Sequence, residues 1–381
     1  MTVAANSAQT SAPPRSLGDS PELEAQLPPL YARWLKDILP SPIPAEQHAT
    51  CSDCAMCAST RSRATYNERV FKPDVKCCSF YPSLPNFLVG SILRDGALEQ
   101  SMATIEARLN AGVGVTPLGI EIPDDYGLIY NQNRSTLFGR SKRMRCPHYI
   151  NDTGQCGIYQ QRNAVCSTFQ CKYMRGAAGQ RFWKRLLALL TSVEHGLSKW
   201  CLARVGIELD VVERLLDRRK TKKEAQAKIS AEEMDLDVGE HYRRSLWGSD
   251  WFGRERHFYI TASDAVERLS WPEVLAICGI DSGLATSLVQ SAHAQLLRRE
   301  LPNRLRFNGV MRPHGDMLMR LTGYSSDDQL VVPRHFAELL PLFNGVRSTE
   351  EALGGLIAGG VLGVGSDYLQ TLVDFQILVV A

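Results

Sequence analysis

The sequence predicts an α+β protein that is mainly helical and contains a loop-rich domain held together by metal-bound cysteines. Nine of the eleven cysteines fall into two groups, helical periodicity dominates after residue 178, and the C-terminal part mixes strands with helices. We expect a disordered tail at 1–28, a cysteine-cluster metal-binding domain at 29–178 with an inserted segment at 79–145, a helical region at 179–310 and a winged-helix-like unit at 327–381.

Composition narrows the class of protein. The 43 basic and 41 acidic residues balance, so no overall field favours nucleic acid or an anionic membrane. No stretch reaches the ~18 unbroken apolar residues of a membrane span. The tail is rich in Ala, Ser, Pro and Gln and lacks a secretory signal, which predicts a cytoplasmic protein. In a reducing cytoplasm, clustered cysteines bind metal or do redox chemistry more often than they form structural disulfides.

The first ordered element is predicted to be a short helix. Apolar residues recur near helical spacing over 28–39, and the prolines that follow, ending with Pro44, lead an extended chain towards Cys51.

The first cysteine group begins with a C-x2-C-x2-C run. It consists of Cys51, Cys54, Cys57, Cys77 and Cys78. Bacterial ferredoxin loops use this spacing for iron–sulfur cubes, whereas a single C-x2-C pair would suit zinc equally well. Because adjacent side chains of an extended chain point in opposite directions, we expect Cys77 and Cys78 not to serve one metal together.

The inserted segment contains enough apolar residues to be ordered. A helix is expected after Pro85, a second helix over 98–109, and a hairpin over 113–133 with its second strand near Tyr130.

The second cysteine group lies in a loop-rich stretch with little apolar material. It consists of Cys146, Cys156, Cys166 and Cys171. Such a stretch is expected to need a bound metal for its order. Each group could complete one site of about four thiolates, and sites that share ligands from both groups are equally allowed. His148 is an alternative ligand, a hydrogen-bond donor to a ligand, or simply an exposed side chain.

Helices are predicted over 182–205, 270–278 and 282–300. The aromatic residues of 242–259 are expected in a core, as are Cys201 and Cys278 on their apolar stripes. The basic run 218–223 lacks interleaved aromatic residues, which favours a solvated helix face over nucleic-acid binding.

The C-terminal unit is predicted to run from a strand at 329–332, through three helices, to a closing strand at 377–380. In element order, and in the phrase Leu330-Val-Val-Pro followed by Leu339-Leu-Pro-Leu-Phe-Asn-Gly345, it is similar to PqqD-like winged-helix modules. The resemblance implies that an edge strand accepts a peptide or protein partner by strand addition.

The cysteine region as a whole resembles a known family. The motifs Cys146-Pro-x-Tyr, Gly-x-Cys156-x-Ile-Tyr-x-x-Arg162 and Cys166-x-x-Phe-x-Cys171, together with the upstream group, are similar to those of YkgJ-type cysteine-cluster proteins. The resemblance covers about residues 51–171 and implies zinc or iron chelation. Asn163 stands where the family usually has Pro, and Ser167 where it usually has Arg.

These features predict a metal-binding protein with one or two iron–sulfur clusters, of the 4Fe-4S type, and an accessory role in redox chemistry or in the modification of a peptide or protein. One alternative is a non-catalytic interaction protein with structural zinc. Another is an enzyme like the flagellin lysine N-methylases, a distantly similar cysteine-cluster group. No P-loop, dinucleotide fingerprint or nucleophile elbow is present, so the sequence leaves open whether the protein is an enzyme.

Overall fold

The chain folds mainly into helices that are joined by small antiparallel sheets. The computed structural model describes residues 27–44, 46, 54, 56–57, 71–225 and 240–381. Its α-helices are α1 Pro29–Ile38, α2 Asn86–Asp95, α3 Glu99–Ala111, α4 Asp124–Leu137, α5 Ala164–Thr168, α6 Gly176–Arg204, α7 Leu209–Ala225, α8 Glu240–Trp251, α9 Glu255–Glu267, α10 Trp271–Cys278, α11 Ile280–Leu297, α12 Arg334–Leu339, α13 Thr349–Ala358 and α14 Ser366–Asp374. The expectation of a mainly helical α+β fold is confirmed at this level.

The strands form four small sheets in the described part of the chain. They are β1 Leu84–Pro85, β2 Val115–Thr116, β3 Gly119–Ile120, β4 Tyr149–Ile150, β5 Gln155–Cys156, β6 Leu305–Phe307, β7 Val310–Pro313, β8 Leu318–Thr322, β9 Leu330–Pro333 and β10 Leu378–Val380. The sheet orders are β1-β3-β2, β4-β5, β7-β8-β9 and β10-β6, and all pairs are antiparallel.

Helix α6 is the centre of the first hydrophobic core. Its buried face, which includes Phe182 and Trp183, packs against α1, α10 and α11. On α1, the fully buried ring of Trp34 lies 6.2 Å from that of Trp271. The helix predicted over 28–39 is therefore confirmed, and its apolar stripe is the face that meets α6.

The second core lies between α2, α9 and the three-stranded sheet β1-β3-β2. Helices α2 and α9 approach so closely that a Cβ on Gly90 would lie 1.8 Å from the carbonyl oxygen of Tyr259. Only glycine fits there. Trp247, Phe258 and Tyr259 are buried in this core, as expected for the aromatic cluster.

The third core belongs to the C-terminal part of the chain. Phe336, Phe343 and Leu356 are buried in it, together with Leu305 and Leu321, which precede the predicted start of this unit at 327. The predicted strand, helices and closing strand are present as β9, α12, α13, α14 and β10. Ser348 and Glu351 form the capping box that begins α13.

A buried ion pair attaches the C-terminal core to the end of the cysteine region. The guanidinium of Arg175 donates to the carboxylate of Asp374, and its Nη2 also donates to the carbonyl oxygen of Arg298 at 2.9 Å. Both charged side chains are almost fully buried. A separate hydrogen bond, from the amide of Tyr173 to the carboxylate of Asp328 at 3.1 Å, holds the loop before β9 near Cys171.

The inserted segment differs from the prediction in one element. Helices α2 and α3 are as expected, but the predicted hairpin is wrong. The residues that its second strand near Tyr130 would need belong to helix α4, and the observed hairpin β2-β3 turns earlier, at Pro117 and Leu118. Pro123 precedes this helix, and the carboxylates of Asp124 and Asp125 in its first turn favour the positive end of the helix dipole.

The predicted tail at 1–28 lies almost entirely outside the described residues. The basic run 218–223 falls in α7, where only the backbone is described. Among the helices of the described ranges, none combines the length and the apolar character that crossing a bilayer requires.

Candidate metal centre

The structure describes eight of the nine cysteines that the sequence analysis selected. Cys51 lies outside the described residues. The other eight are free thiols, of which Cys146 is buried and the remaining seven are partly exposed. Cys201 is buried in the first core as expected, whereas Cys278 is only half-buried.

Backbone hydrogen bonds join the first cysteine group to the second. The amide of Cys57 donates to the carbonyl oxygen of Cys54 at 2.9 Å, so these two residues share one tight turn. The amide of Cys146 donates to the carbonyl oxygen of Cys78 at 2.6 Å. The two groups therefore lie side by side, although the 67-residue insert separates them in sequence.

The expectation that Cys77 and Cys78 point in opposite directions is wrong. Residues 73–79 form turns rather than an extended strand, and Lys76 has a φ of 52°. In this turn the two thiols lie within hydrogen-bonding distance, and that contact, more than burial, raises the pKa of Cys77.

A contact between thiols connects the two groups directly. The thiol of Cys171 donates a hydrogen bond to the sulfur of Cys54, which lowers the pKa of Cys54 to about 6 and raises that of Cys171. Cys54 is therefore the thiol of this pair that ionises first, near neutral pH. Cys54 belongs to the first group and Cys171 to the second. This contact therefore favours a site that shares ligands from both groups over a separate site for each group.

Cys77 interacts with thiols of both groups. Burial and the neighbouring Cys54 raise the pKa of Cys57 to about 12, and the charge of Cys77 adds a smaller effect. Burial is also the main cause that raises the pKa of Cys146 and Cys166, and the charges of Cys77 and Cys156 add to it. These thiols lie close enough that, without a cation, they cannot all ionise together.

The second group is positioned by short elements. Cys156 lies on β5, where it pairs with Tyr149. Cys166 lies on the five-residue helix α5, whose N-cap is Asn163. The Asn163 carboxamide accepts from the amide of Cys166 at 3.0 Å and donates to the carbonyl oxygen of Ser83 at 3.0 Å. An asparagine here supports the helix that carries Cys166 and ties it to the inserted segment.

Ser167 is buried beside this helix. Its hydroxyl donates to the carbonyl oxygen of Arg162 at 3.1 Å. The Arg162 guanidinium lies 3.7 Å from the centre of the Tyr159 ring and its Nη1 donates to the carbonyl oxygen of Cys166 at 3.4 Å. Arg162 therefore places a positive charge next to Cys166. The neighbouring Ser167 carries no charge.

Two carboxylates to which the sequence does not point lie beside the second cysteine group, of which Glu194 is buried and Glu46 is partly exposed. Glu194 on α6 accepts from the amide of Ala164 at 2.6 Å and from the Tyr31 hydroxyl, and burial raises its pKa to about 7. Glu46 accepts from the amide of Met174 at 2.7 Å and from Trp183 Nε1 at 2.9 Å, and burial raises its pKa to about 7 as well. No sequence motif distinguishes these glutamates from surface ones.

His148 is almost fully buried, and its Nδ1 has no hydrogen-bond partner among the described residues. Burial lowers its pKa to about 4, so the imidazole is neutral at physiological pH. Its backbone N–H donates to the sulfur of Cys146. The structure therefore gives His148 a hydrogen-bonding role towards a candidate ligand through the backbone.

The segment from Arg140 to Arg145, just before Cys146, carries four basic residues, and this basic run lies partly in ion pairs. Lys142 pairs with the exposed carboxylate of Asp74, and Arg145 Nη1 donates to the Asp74 carbonyl oxygen at 3.2 Å. The Arg145 guanidinium lies 5.5 Å from the ring centre of Tyr149. These contacts join the basic run to the turn that carries Cys77.

Across the described ranges, no three or more His, Cys, Asp or Glu side chains are grouped so that they could hold a metal ion. Direct contacts join Cys54 to Cys57 and Cys171, and Cys77 to Cys78, whereas Cys156 and Cys77 act on Cys166 through their charge. Chemically, such a set of soft donors can take up a thiophilic metal or an iron–sulfur cluster, or can form disulfides on oxidation.

Comparison with known proteins adds no relative. No protein-family model, no curated protein and no solved structure matches the chain. The candidate site therefore stands on its own geometry.

Proposed function

We propose that this protein binds metal through thiolates from both cysteine groups, as one or two iron–sulfur clusters, and that it assists redox chemistry or the modification of a peptide or protein. The observation that carries the proposal is the hydrogen bond between the thiols of Cys54 and Cys171, which come from opposite groups and both lie near enough to Cys77 to interact with its charge. Neighbouring thiols repel one another when ionised, and a bound cation or cluster removes that repulsion.

The spacing of the first group supports iron over zinc. The C-x2-C-x2-C run of Cys51, Cys54 and Cys57 is the spacing of iron–sulfur loops, and thiolates are the usual ligands of such clusters. Residues of this chain would hold and tune the group. Arg162 offsets negative charge at Cys166, and the His148 N–H donates to Cys146, which are known means of adjusting a cluster's potential. When bound, the cluster would supply one-electron transfer.

Structural zinc in a non-catalytic interaction protein is the second candidate. The observation that favours it is that only two-residue strands and short helices lie between Cys146 and Cys171. A closed zinc site would supply the folding energy that such short elements lack. A protein-methylase activity would need a site for a methyl donor and remains a further proposal without a supporting contact.

Anaerobic purification, followed by metal analysis and visible absorption spectroscopy, tests the proposal. We expect iron and acid-labile sulfide with broad absorption near 400 nm, as roughly typical of thiolate-bound clusters. A colourless protein with stoichiometric zinc would select the second candidate. A metal-free protein whose cysteines react with an alkylating reagent only after reduction would contain disulfides. That result would contradict both the iron–sulfur and the zinc candidate.

Variants of single cysteines sharpen this test. Cys166→Ala and Cys156→Ala should lower the metal content and the soluble yield, because both thiols belong to the network. Cys278→Ala is the matched control, since this thiol contacts the carbonyl oxygen of Val193 and none of the eight described cysteines of the two groups. Equal metal content in all three variants would show that the ligands were assigned wrongly.

A further inference from the structure

The exposed face of helix α11 lacks the charged side chains that normally cover a surface helix. The helix is about 27 Å long, and its buried side packs against α6 and α1. No Asp, Glu, Lys or Arg occurs between Asp281 and Arg298. A helix face that borders water is ordinarily polar or charged, so this face is typical of one that a further surface covers.

Large apolar side chains on this face follow helical spacing. Ile280 is 83% exposed, Leu284 is 62% exposed and Leu288 is 45% exposed. Because successive members lie four residues apart in the sequence, they form one continuous stripe on the helix. A continuous apolar patch of this kind marks an interaction site, whereas single exposed apolar residues do not.

Side-chain size changes along the stripe. Its N-terminal half holds Ile280 and Leu284, whereas the C-terminal half of the same face holds the exposed Ser291 and Ala294. With Ser287 between them, these positions alternate at intervals of four and three residues, which is the spacing of a seam between paired helices. When the helix pairs with a second copy of itself in the antiparallel direction, the large side chains of each copy meet the small ones of the other.

The two ends of the stripe also differ in charge. Asp281 is exposed in the first turn of α11 and has no hydrogen-bond or ion-pair partner in the described part of the chain. At the other end, Nη1 of Arg181 on α6 donates to the side chain of Gln295 at 2.7 Å. Arg298 adds little charge there, since it pairs with Glu300 at 2.7 Å. Antiparallel pairing brings the acidic end of each copy to the basic end of the other and opposes the two helix dipoles.

We infer that α11 forms the interface of a two-fold symmetric dimer of this chain, in which the two copies of the helix lie antiparallel. A two-fold interface requires a surface that is complementary to itself. The stripe meets this requirement twice, through the size of its side chains and through the charge at its ends. A parallel pair would instead place Leu284 against its own copy and bring like charges together. The dimer is a property beyond the proposed metal function and does not depend on it.

Sedimentation velocity of the full chain in anaerobic, reducing buffer tests the inference. Because one helix from each copy makes the contact, we expect a reversible equilibrium with dimer present at about 100 μM. Leu284→Glu places two like charges in the seam and should raise the dimer dissociation constant by about tenfold or more. Leu128→Glu is the matched control, since Leu128 is a helical leucine on α4 that is 56% exposed, and it should leave the constant unchanged.

Charge reversal tests the antiparallel arrangement. Asp281→Arg and Arg181→Glu should each raise the dissociation constant by roughly two- to fivefold, as expected for an exposed ion pair, and the variant with both changes should recover the wild-type value. A wild-type chain that is monomeric at about 100 μM, or a dimer that Leu284→Glu leaves unchanged, would overturn the inference. A double variant that dimerises no better than the single ones would contradict the antiparallel pairing.

Discussion

The cysteine groups and the C-terminal core show two different ways of ordering a chain. In the C-terminal core, buried apolar side chains such as Phe343 and Leu356 meet across β-strands and capped helices. Around the cysteines, the elements are a two-strand hairpin of two-residue strands and the five-residue helix α5. Short elements of this kind bury little apolar area, so their order depends on side-chain hydrogen bonds, buried carboxylates and, in our proposal, metal.

This difference predicts which kind of perturbation should destabilise each region. A core of apolar side chains loses stability when volume is removed, whatever the ligand state. A region that is ordered by thiols and carboxylates responds instead to metal, oxidation and pH. Three predictions test whether the two regions are in fact held in these different ways.

The largest effect is expected in the C-terminal core. Phe343 is 1% exposed, so Phe343→Ala should lower the free energy of unfolding by about 3–5 kcal/mol, measured by urea denaturation. Val346→Ala is the control, since Val346 is 76% exposed and its truncation should cost less than about 0.5 kcal/mol. The metal content of folded Phe343→Ala should equal that of wild type, and a clear loss of metal would show that the two regions are not independent.

A change of pH is expected to have an intermediate effect on the free energy of unfolding. The group responsible lies beside the second cysteine group. Burial raises the pKa of Glu194 from 4.5 to about 7. The folded state therefore binds this proton more tightly than the unfolded state, so the contribution is complete below pH 4.5 and is lost as the pH rises towards 7. The loss amounts to at most about 3 kcal/mol.

Glu194→Gln should flatten this part of the stability curve between pH 4.5 and 7, because the amide keeps an acceptor for Ala164 and cannot ionise. The pH dependence of stability is measured from the midpoints of urea unfolding at several pH values. Glu350→Gln, a change at an exposed carboxylate of α13, should keep the wild-type slope. If Glu194→Gln keeps it too, the pH dependence has another origin, for which Glu46 is the next residue to change.

The smallest effect compares two helix caps. Asn163→Ala and Ser348→Ala each remove a side chain that accepts from a backbone amide at a helix N-terminus, and each should cost about 1 kcal/mol of stability. Only Asn163 caps the helix of a candidate ligand, so Asn163→Ala alone should speed the loss of metal to a chelator. Equal chelation rates in the two variants would mean that α5 does not position Cys166.

Much of the helical framework could be predicted from sequence because its signals are local. The capping box of Ser348 and Glu351 and the apolar stripes of α1 and α6 were sufficient to predict those helices. The error at α4 has a local cause as well. Leu128, Ile129 and Tyr130 form a short apolar run that suits a strand as readily as a helix, and the first two are exposed on the helix that forms.

By itself, the sequence determined which residues can act as soft ligands, since nine thiols in two groups are visible in any reading of it. Only the tertiary structure decided how they meet. The turn at Lys76 brings Cys77 next to Cys78, and Cys171 reaches Cys54 from the other group. The physical reason is the distance along the sequence over which each interaction acts. Helix periodicity and caps depend on neighbours a few residues away, whereas a thiol contact depends on how α6 and the inserted segment pack, which no local pattern records.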